Sequence, residues 1–235
     1  MLILTPPSEG KSIQNTVSKK FSETNFVFEK QVKEILMILK PLNENKIVST
    51  YGTNLEKAKD LHKINLKVFD NKCSMAIERY TGVVFSNLDW KSLDNNEKAY
   101  LNKNLRIFSG MFGLLKPNDL IPNYKLKMNV LALTNFWKLH ISNQLNKEDL
   151  ILDLLPAAHR KAFDLKKNVF KINFLINKDG KLIQSAHAGK VVKGKFIRFL
   201  AQHNIQDFEE LKKFSFDGYK WNGDFFLKTV KLHIA

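Results

Sequence analysis

The apolar residues of this chain follow two different periods. They recur every three to four positions over residues 21–40, 53–68 and 94–108, which predicts amphipathic helices. Short continuous apolar runs at 1–4 and 150–155 predict buried strands, since a strand covered on both faces needs no polar alternation. The two periods predict that helices and strands occur together in this chain.

The segment 94–117 combines a helix signal with several breaks. A capping-box pattern at 94–97 starts the predicted helix, and Gly110, Gly113 and Pro117 interrupt the chain after it. A helix, a glycine turn and a further segment indicate a helix-hairpin-helix-like element, in which glycine N–H groups bind phosphate. The two glycines depart from the usual Gly-x-Gly spacing by one residue, and the proline leaves little room for a second helix.

A second cationic segment comes directly after this one. Residues 124–128 alternate apolar and polar side chains, which predicts an edge strand with Lys125 and Lys127 on one face. Later in the chain, Lys190 and Lys193 share one face if the segment from Ala188 to Leu200 is helical.

The charge of the chain is unevenly distributed. The net charge is +15 over 235 residues. Residues 98–138 contain seven Lys or Arg against one acid, residues 160–235 contain sixteen against seven, and the remainder is neutral. Such asymmetry favours a polyanionic partner or an acidic substrate. A lysine-rich surface from a biased genome is the alternative, although it does not explain the lack of acids in 98–138.

The rest of the composition indicates a cytoplasmic protein with one domain. The hydrophobic fraction is 44%, and no internal repeat, low-complexity tract or linker divides residues 1–235. No apolar run approaches the ~18 residues that span a bilayer, and the amino terminus lacks the pattern of a signal peptide. Cys73 is the single cysteine, which excludes an internal disulfide. We expect a monomer without a membrane partner.

Several common kinds of site are excluded. Gly10-Lys11-Ser12 after a predicted strand suggests a phosphate-binding P-loop, but Thr5 stands where that pattern needs glycine. Pro6 and Pro7 also lack the N–H groups with which a P-loop binds phosphate. The six histidines lack metal-ligand spacing, and neither a Gly-x-Ser-x-Gly elbow nor a Gly-x-Gly-x-x-Gly motif occurs. We therefore expect neither a metal nor a cofactor.

What remains is a set of cations, glycines and hydroxyls that could bind phosphate. The predicted DNA- or phosphate-binding residues are Lys11, Lys103, Arg106, Gly110, Gly113, Lys116, Lys125, Lys127, Lys190, Lys193 and Arg198. The predicted pocket residues are Ser8, Glu9, Tyr80, Thr81, Tyr124 and His159. Cations around a cleft would position a nucleic acid without reading its sequence.

Three motifs resemble the YaaA family of bacterial peroxide-stress proteins. They are Met1-Leu-Ile-Leu-x-Pro-Pro-Ser-Glu-Gly-Lys-Ser12, Tyr80-Thr-Gly82 and the long central motif Leu105-Arg-Ile-x-Ser-Gly-x-x-Gly-Leu-Leu-Lys-Pro-x-Asp-x-Ile-x-x-Tyr-x-Leu-x-Met128. Phe136-Trp137, the segment 190–198 and a late Trp-Asn-Gly add to the match, which covers nearly the whole chain.

The resemblance implies a compact single domain of mixed α/β (α+β) structure, with a mixed sheet flanked by helices. It also implies DNA binding through a positive cleft with a helix-hairpin-helix-like element, and protection against peroxide linked to lower free iron. The matching motif residues are Lys11, Tyr80, Thr81, Arg106, Ser109, Gly110, Gly113, Lys116, Tyr124, Lys190 and Lys193. The chain has Pro156-Ala-Ala-His159 where family members often have Ser-x-Glu-Tyr, so Ala158 stands in place of the carboxylate and His159 in place of the phenol.

Three functional hypotheses arise from these observations. The first is a cytoplasmic DNA-binding protein of the oxidative-stress response that binds duplex or branched DNA largely independently of sequence. The second is an enzyme that acts on a phosphorylated or nucleotide-like small molecule in the same cleft. Ser8, Glu9 and Tyr80 favour the second, because phosphate binding alone does not require them. The third is a chain whose positive charge only keeps it soluble.

Overall fold

The computed structural model describes residues 1–14, 16–146, 148–164 and 168–230. The helices are α1 Glu29–Leu39, α2 Glu44–Tyr51, α3 Leu55–Leu66, α4 Ala76–Arg79, α5 Val83–Leu88, α6 Asn95–Asn104, α7 Leu133–Leu145, α8 Ala157–Arg160, α9 Ala186–Gln202 and α10 Phe208–Leu211. The strands are β1 Leu2–Thr5, β2 Cys73–Met75, β3 Leu105–Ser109, β4 Gly113–Leu115, β5 Leu120–Pro122, β6 Ile151–Asp153, β7 Val169–Lys171, β8 Phe174–Lys178, β9 Lys181–Ile183, β10 Lys220–Trp221 and β11 Phe226–Val230.

A five-stranded sheet forms the centre of the molecule, in the order β4-β3-β1-β6-β7. β1 runs parallel to β3 and β6, β6 runs parallel to β7, and β4 is antiparallel to β3. All four residues of β1 are buried, and Ile3 pairs with both Leu105 and Leu152. The strand predicted at the amino terminus is confirmed as the central strand, where cover on both faces requires a continuous apolar run.

A second sheet, in the order β10-β11-β8-β9, packs beneath the long helix α9. Phe174 and Phe226 on this sheet stack with ring centroids 5.2 Å apart, and Phe196 of α9 lies 5.5 Å from Phe174. On its other side α9 approaches α5 so closely that a Cβ at Gly194 would collide with the carbonyl oxygen of Val84. A two-stranded sheet of β2 and β5 completes the mixed α/β fold, which is confirmed.

The helix predicted over 94–108 is wrong in its last third. The capping box starts α6 as predicted, but α6 ends at Asn104 and the chain continues directly as β3. Because the carboxyl-terminal part of this apolar segment pairs with β1 inside the sheet, tertiary pairing overrides the helical period.

The predicted helix-hairpin-helix-like element is also wrong. Gly110 lies in a turn that joins β3 to β4, so the segment 105–115 is a β-hairpin. Gly113 has a φ of +70°, and a Cβ at Gly110 would lie 2.6 Å from the carbonyl oxygen of Leu126. These glycines permit a tight turn and a close backbone approach.

The edge strand predicted at 124–128 is wrong, although its alternation is real. Tyr124, Leu126 and Met128 are buried, but the segment pairs with no strand of the described residues. The Asn65 side-chain amide replaces a neighbouring strand there: it donates to the Lys125 carbonyl oxygen at 2.8 Å and accepts from the Lys125 N–H at 2.9 Å.

In the described part of the chain, every helix is too short or too polar to cross a lipid bilayer.

Candidate functional site

The site lies where the carboxyl ends of β1 and β6 meet. After β1 the chain returns to the sheet at β3, whereas after β6 it returns at β7, on the opposite side. The two loops therefore diverge and leave a crevice, which is the usual ligand position in a parallel sheet. Pro6 and Pro7 end β1 because neither has an N–H group to continue the ladder.

The crevice contains two cavities separated by residues 7–9. The large cavity has a volume of about 720 Å³ and the small cavity about 280 Å³. The large cavity is lined by the loops after β1, β6 and β7 together with the first turns of α5 and α9. The small cavity lies between the loop after β1, residues 124–129 and α8.

The loop after β1 is fastened to the Tyr80-Thr-Gly82 motif. Ser8 Oγ donates to the Gly10 carbonyl oxygen at 2.6 Å and accepts from the Thr81 N–H at 3.1 Å. Gly82 has no room for a side chain, since a Cβ there would lie 2.6 Å from the Ser8 Cβ. We conclude that Ser8 and Thr81 position this loop and that the motif is explained by this docking.

The buried side chain of Arg79 also holds this loop in place, a role that the sequence did not predict. This guanidinium is 1% exposed and donates to the carbonyl oxygens of Ser12 and Ile121. The only indication in the sequence is that Arg79 directly precedes the Tyr80-Thr-Gly82 motif.

Lys11 extends from the loop into the small cavity. Its ammonium lies 4.4 Å from the centroid of the Tyr124 ring and 5.5 Å from that of Tyr80, and it donates to the Ser8 carbonyl oxygen at 3.3 Å. Burial, with Lys125 and Arg79 nearby, lowers the pKa of Lys11 to about 8. A lysine with this pKa can bind an anion as a cation and can also act as a neutral amine.

Beneath Lys11, three hydroxyls form a buried chain. Tyr124 Oη lies 2.7 Å from Tyr80 Oη and 2.7 Å from Ser109 Oγ, and Ser109 Oγ accepts from the Phe112 N–H. Burial raises the pKa of Tyr124 to about 12 and that of Tyr80 well above its usual range. Both phenols therefore stay neutral at physiological pH and hold the two rings beneath the lysine.

Glu9 lines both cavities. Its carboxylate pairs with Lys125 at 3.1 Å and with Lys127 at 3.0 Å, and these hydrogen bonds lower the pKa of the carboxyl. The structure thus brings these two lysines to the crevice as predicted from their common face, although they bind an acid of the same loop.

Lys193 and Arg160 both line the large cavity. Lys193 Nζ donates to the Leu154 carbonyl oxygen at 2.7 Å, and burial lowers the pKa of Lys193 to about 8. Arg160 pairs with Asp153, a fully buried acid at the end of β6 that also accepts from the Leu155 N–H at 2.7 Å. This ion pair was not predicted from the sequence, where the only indication of it is an acid inside the apolar run 150–155.

His159 lines the small cavity as a neutral ring. Burial lowers the pKa of His159 to about 4, and Nδ1 is buried without a hydrogen-bond partner among the described residues. The imidazole lies edge-on to Phe108 with centroids 6.4 Å apart. At physiological pH it contributes no charge to the crevice.

Other predicted residues lie elsewhere. Arg106 and Lys116 line a third cavity of about 200 Å³ beside Leu2, at the amino end of β1, together with Asp119 and Glu148. Lys103 is exposed on α6, and Arg198 donates to Leu88, Asp89 and Ser92 between α9 and α5. Gly110 and Gly113 form the β3–β4 turn and contact Trp137, which donates to the Gly110 carbonyl oxygen at 2.9 Å.

The comparison with known protein families agrees with the motif residues. Residues 1–225 match the family described as peroxide stress protein YaaA. The chain belongs to this family. Its membership confirms the resemblance and supports a role in the oxidative-stress response.

The chain is also similar over nearly its whole length to several curated bacterial proteins. It is 30% identical to a UPF0246 protein of Finegoldia magna, over 94% of this chain and 93% of the relative. It is 29% identical to a UPF0246 protein of Fusobacterium nucleatum, over 95% and 94%. An uncharacterized protein of Campylobacter jejuni is 31% identical, over 90% and 89%.

Cys73 is not built for reaction with peroxide. The thiol is fully buried, and this burial raises its pKa to about 11. Peroxide reacts with the thiolate, which is scarce at physiological pH for a group of this pKa. Elsewhere in the described residues, no group of three or more His, Cys, Asp or Glu side chains could hold a metal ion.

Proposed function

We propose that this member of the YaaA family binds DNA in the crevice, largely independently of sequence, and thereby limits iron-linked peroxide damage. What carries the proposal is a convergence of charge. The described residues lining the two cavities include seven cations, from segments far apart in the chain, and a single acid, Glu9. The cations are Lys11, Lys125, Lys127, Arg160, Lys171, Lys190 and Lys193.

The arrangement of these charges favours backbone contacts over base recognition. Lys171 and Lys190 are exposed, and neither has an acidic partner among the described residues. Flexible ammonium groups bind phosphate as point charges and carry no sequence information. A ligand that spans both cavities would meet cations on either side of residues 7–9.

The test is salt-dependent binding of a labelled duplex, measured by fluorescence anisotropy from about 50 to 200 mM salt. We expect log K to fall linearly with log salt, with a slope of roughly 0.9 per phosphate contact. Absence of binding at about 50 mM salt would refute the proposal. In a second assay, the protein at saturation should reduce strand breakage by Fe(II) and peroxide in bound DNA.

One observation favours the enzyme alternative. Phosphate binding alone does not require an amine of lowered pKa held over two tyrosine rings, as Lys11 is. If the crevice turns over a phosphorylated compound, Lys11→Arg should keep phosphate binding and lose turnover, because a guanidinium stays protonated. Turnover that survives this substitution would exclude Lys11 as its catalytic group.

A further inference from the structure

The large cavity has two chemically different walls. One wall is apolar and contains Pro6, Pro7, Val83 and Phe85, of which Phe85 stacks on Tyr80 with centroids 5.2 Å apart. The rest of the lining, here called the cationic wall, includes the lysines of β7 and α9 and the amide side chains of Asn173 and Gln184. A ligand that contacts the apolar side chains and also binds the lysines needs a flat apolar part and an anionic part.

Among the described residues, no acid forms an ion pair with the lysines of the cationic wall, whereas Arg160 beside them pairs with the buried Asp153. Among the described residues, Lys171 and Lys190 have no ion-pair partner, and Lys193 donates only to a backbone carbonyl. Glu9 is the one acid in this part of the lining, and its carboxylate is already paired with Lys125 and Lys127 in the small cavity. An anion that enters the large cavity therefore meets positive charge that is not yet compensated.

The volume of the large cavity favours a small organic ligand over a bare anion. At about 720 Å³ the cavity lies within the range of sites for small organic ligands, roughly 300–1,000 Å³. Inorganic phosphate would occupy the lysine wall and leave the apolar wall in contact with water.

We propose that the large cavity binds a nucleoside 5′-phosphate unit, with its phosphate at Lys171, Lys190 and Lys193 and its base against the proline loop and Phe85. The unit is either a free mononucleotide or an unstacked nucleotide of a DNA strand. The second case rests on the proposed function, whereas the first does not. The amides of Asn173 and Gln184 offer both donors and acceptors to the edge of a base.

A substitution at Gly189 can fill part of the large cavity while leaving its lysines unchanged. It lies within α9 and lines the cavity, and a Cβ built there meets no atom within 4 Å. Gly189→Leu therefore projects a side chain into the cavity, and replacing a helical glycine favours the helix. Ala186→Phe, from the exposed first turn of the same helix, is an independent second plug.

The experiment is calorimetric titration of the full chain with deoxyadenosine 5′-monophosphate and, separately, with inorganic phosphate. We expect the mononucleotide to bind at least tenfold more tightly than phosphate. Gly189→Leu should weaken the mononucleotide at least tenfold and leave phosphate within threefold, and Lys171→Ala with Lys190→Ala should weaken both. Lys57→Ala, at an exposed position of α3 that lines none of the three cavities, is the matched control and should change neither.

A single strand that contains 2-aminopurine distinguishes the two sources. A fluorescence change on binding that both plugs abolish identifies an unstacked DNA nucleotide as the occupant. No change, with mononucleotide binding retained, identifies the free nucleotide. The proposal is overturned if phosphate binds as tightly as the mononucleotide, or if folded plug variants bind the mononucleotide like the wild type. Loss of duplex binding alone would refute only the proposed DNA function.

Discussion

The two ends of the central sheet hold similar residues in opposite situations. At the carboxyl ends of β1 and β6, Lys171, Lys190 and Lys193 line a cavity whose single acid is paired elsewhere. At the amino end of β1, Arg106 and Lys116 share a smaller cavity with Asp119 and Glu148. Positive charge is left available at one end and compensated at the other, so the same residue types are available to an anionic ligand in one place and paired within the fold in the other.

Replacing an acid at each end of the sheet should give the largest difference, measured as the loss in the free energy of unfolding. Asp153→Ala leaves Arg160 without its carboxylate and removes an acceptor from the Leu155 N–H, so we expect a loss of about 3–5 kcal/mol in the free energy of unfolding. Asp119→Ala, at the half-buried opposite site, should cost about 1 kcal/mol. Urea unfolding measures both, and equal losses would contradict the comparison.

Removing pairs of lysines tests the availability of charge directly. Lys171→Ala with Lys190→Ala should weaken duplex binding roughly tenfold or more and lower the salt slope by about 2. The matched pair Lys103→Ala with Lys116→Ala removes two exposed lysines outside the crevice and should change affinity less than about threefold. If the second pair has the larger effect in anisotropy titrations, the crevice is not the binding surface.

The two ends should also differ in their response to pH. The pKa values of Lys11 and Lys193 are lowered to about 8 by burial, so these two cations lose their protons as the pH rises through 8. Binding of an anion should therefore be strongest below pH 8 and weaken between pH 7 and 9. Measured at constant ionic strength, Lys193→Arg should flatten this profile; an unchanged profile would exclude Lys193 as its source.

The smallest effect is expected at Cys73, away from both ends. Because its thiol is fully buried and its pKa is raised to about 11, peroxide should leave it unmodified while the protein is folded. Intact-mass spectrometry after peroxide treatment measures this, with urea-unfolded protein as the reactive control. Rapid sulfinic acid formation in the folded protein would show that the thiol is exposed by motion.

Much of the site's local chemistry was predictable from the chain. The strand at the amino terminus, the proline loop after it and the common face of Lys125 and Lys127 were all predicted, because each depends on neighbours within a few residues. The ion pair of Asp153 and Arg160 was not predicted, because the role of an acid in an apolar strand depends on a partner that only the folded structure identifies. Gly110 and Gly113 were assigned to phosphate binding, whereas they serve a hairpin turn.

The sequence by itself determined the uneven charge, the family motifs and the central strand. The tertiary structure decided which charges meet. Lys11, Lys125 and Lys193 are distant in sequence. Parallel pairing of β1 with β3 and β6 brings the loops after β1 and β6 to one edge of the sheet, where Lys125 pairs with Glu9 of the first loop and Lys193 donates to the Leu154 carbonyl oxygen of the second. The same pairing makes residues 105–109 a strand and places Arg106 at the other end, because sheet partners are chosen by non-local burial that a local period does not contain.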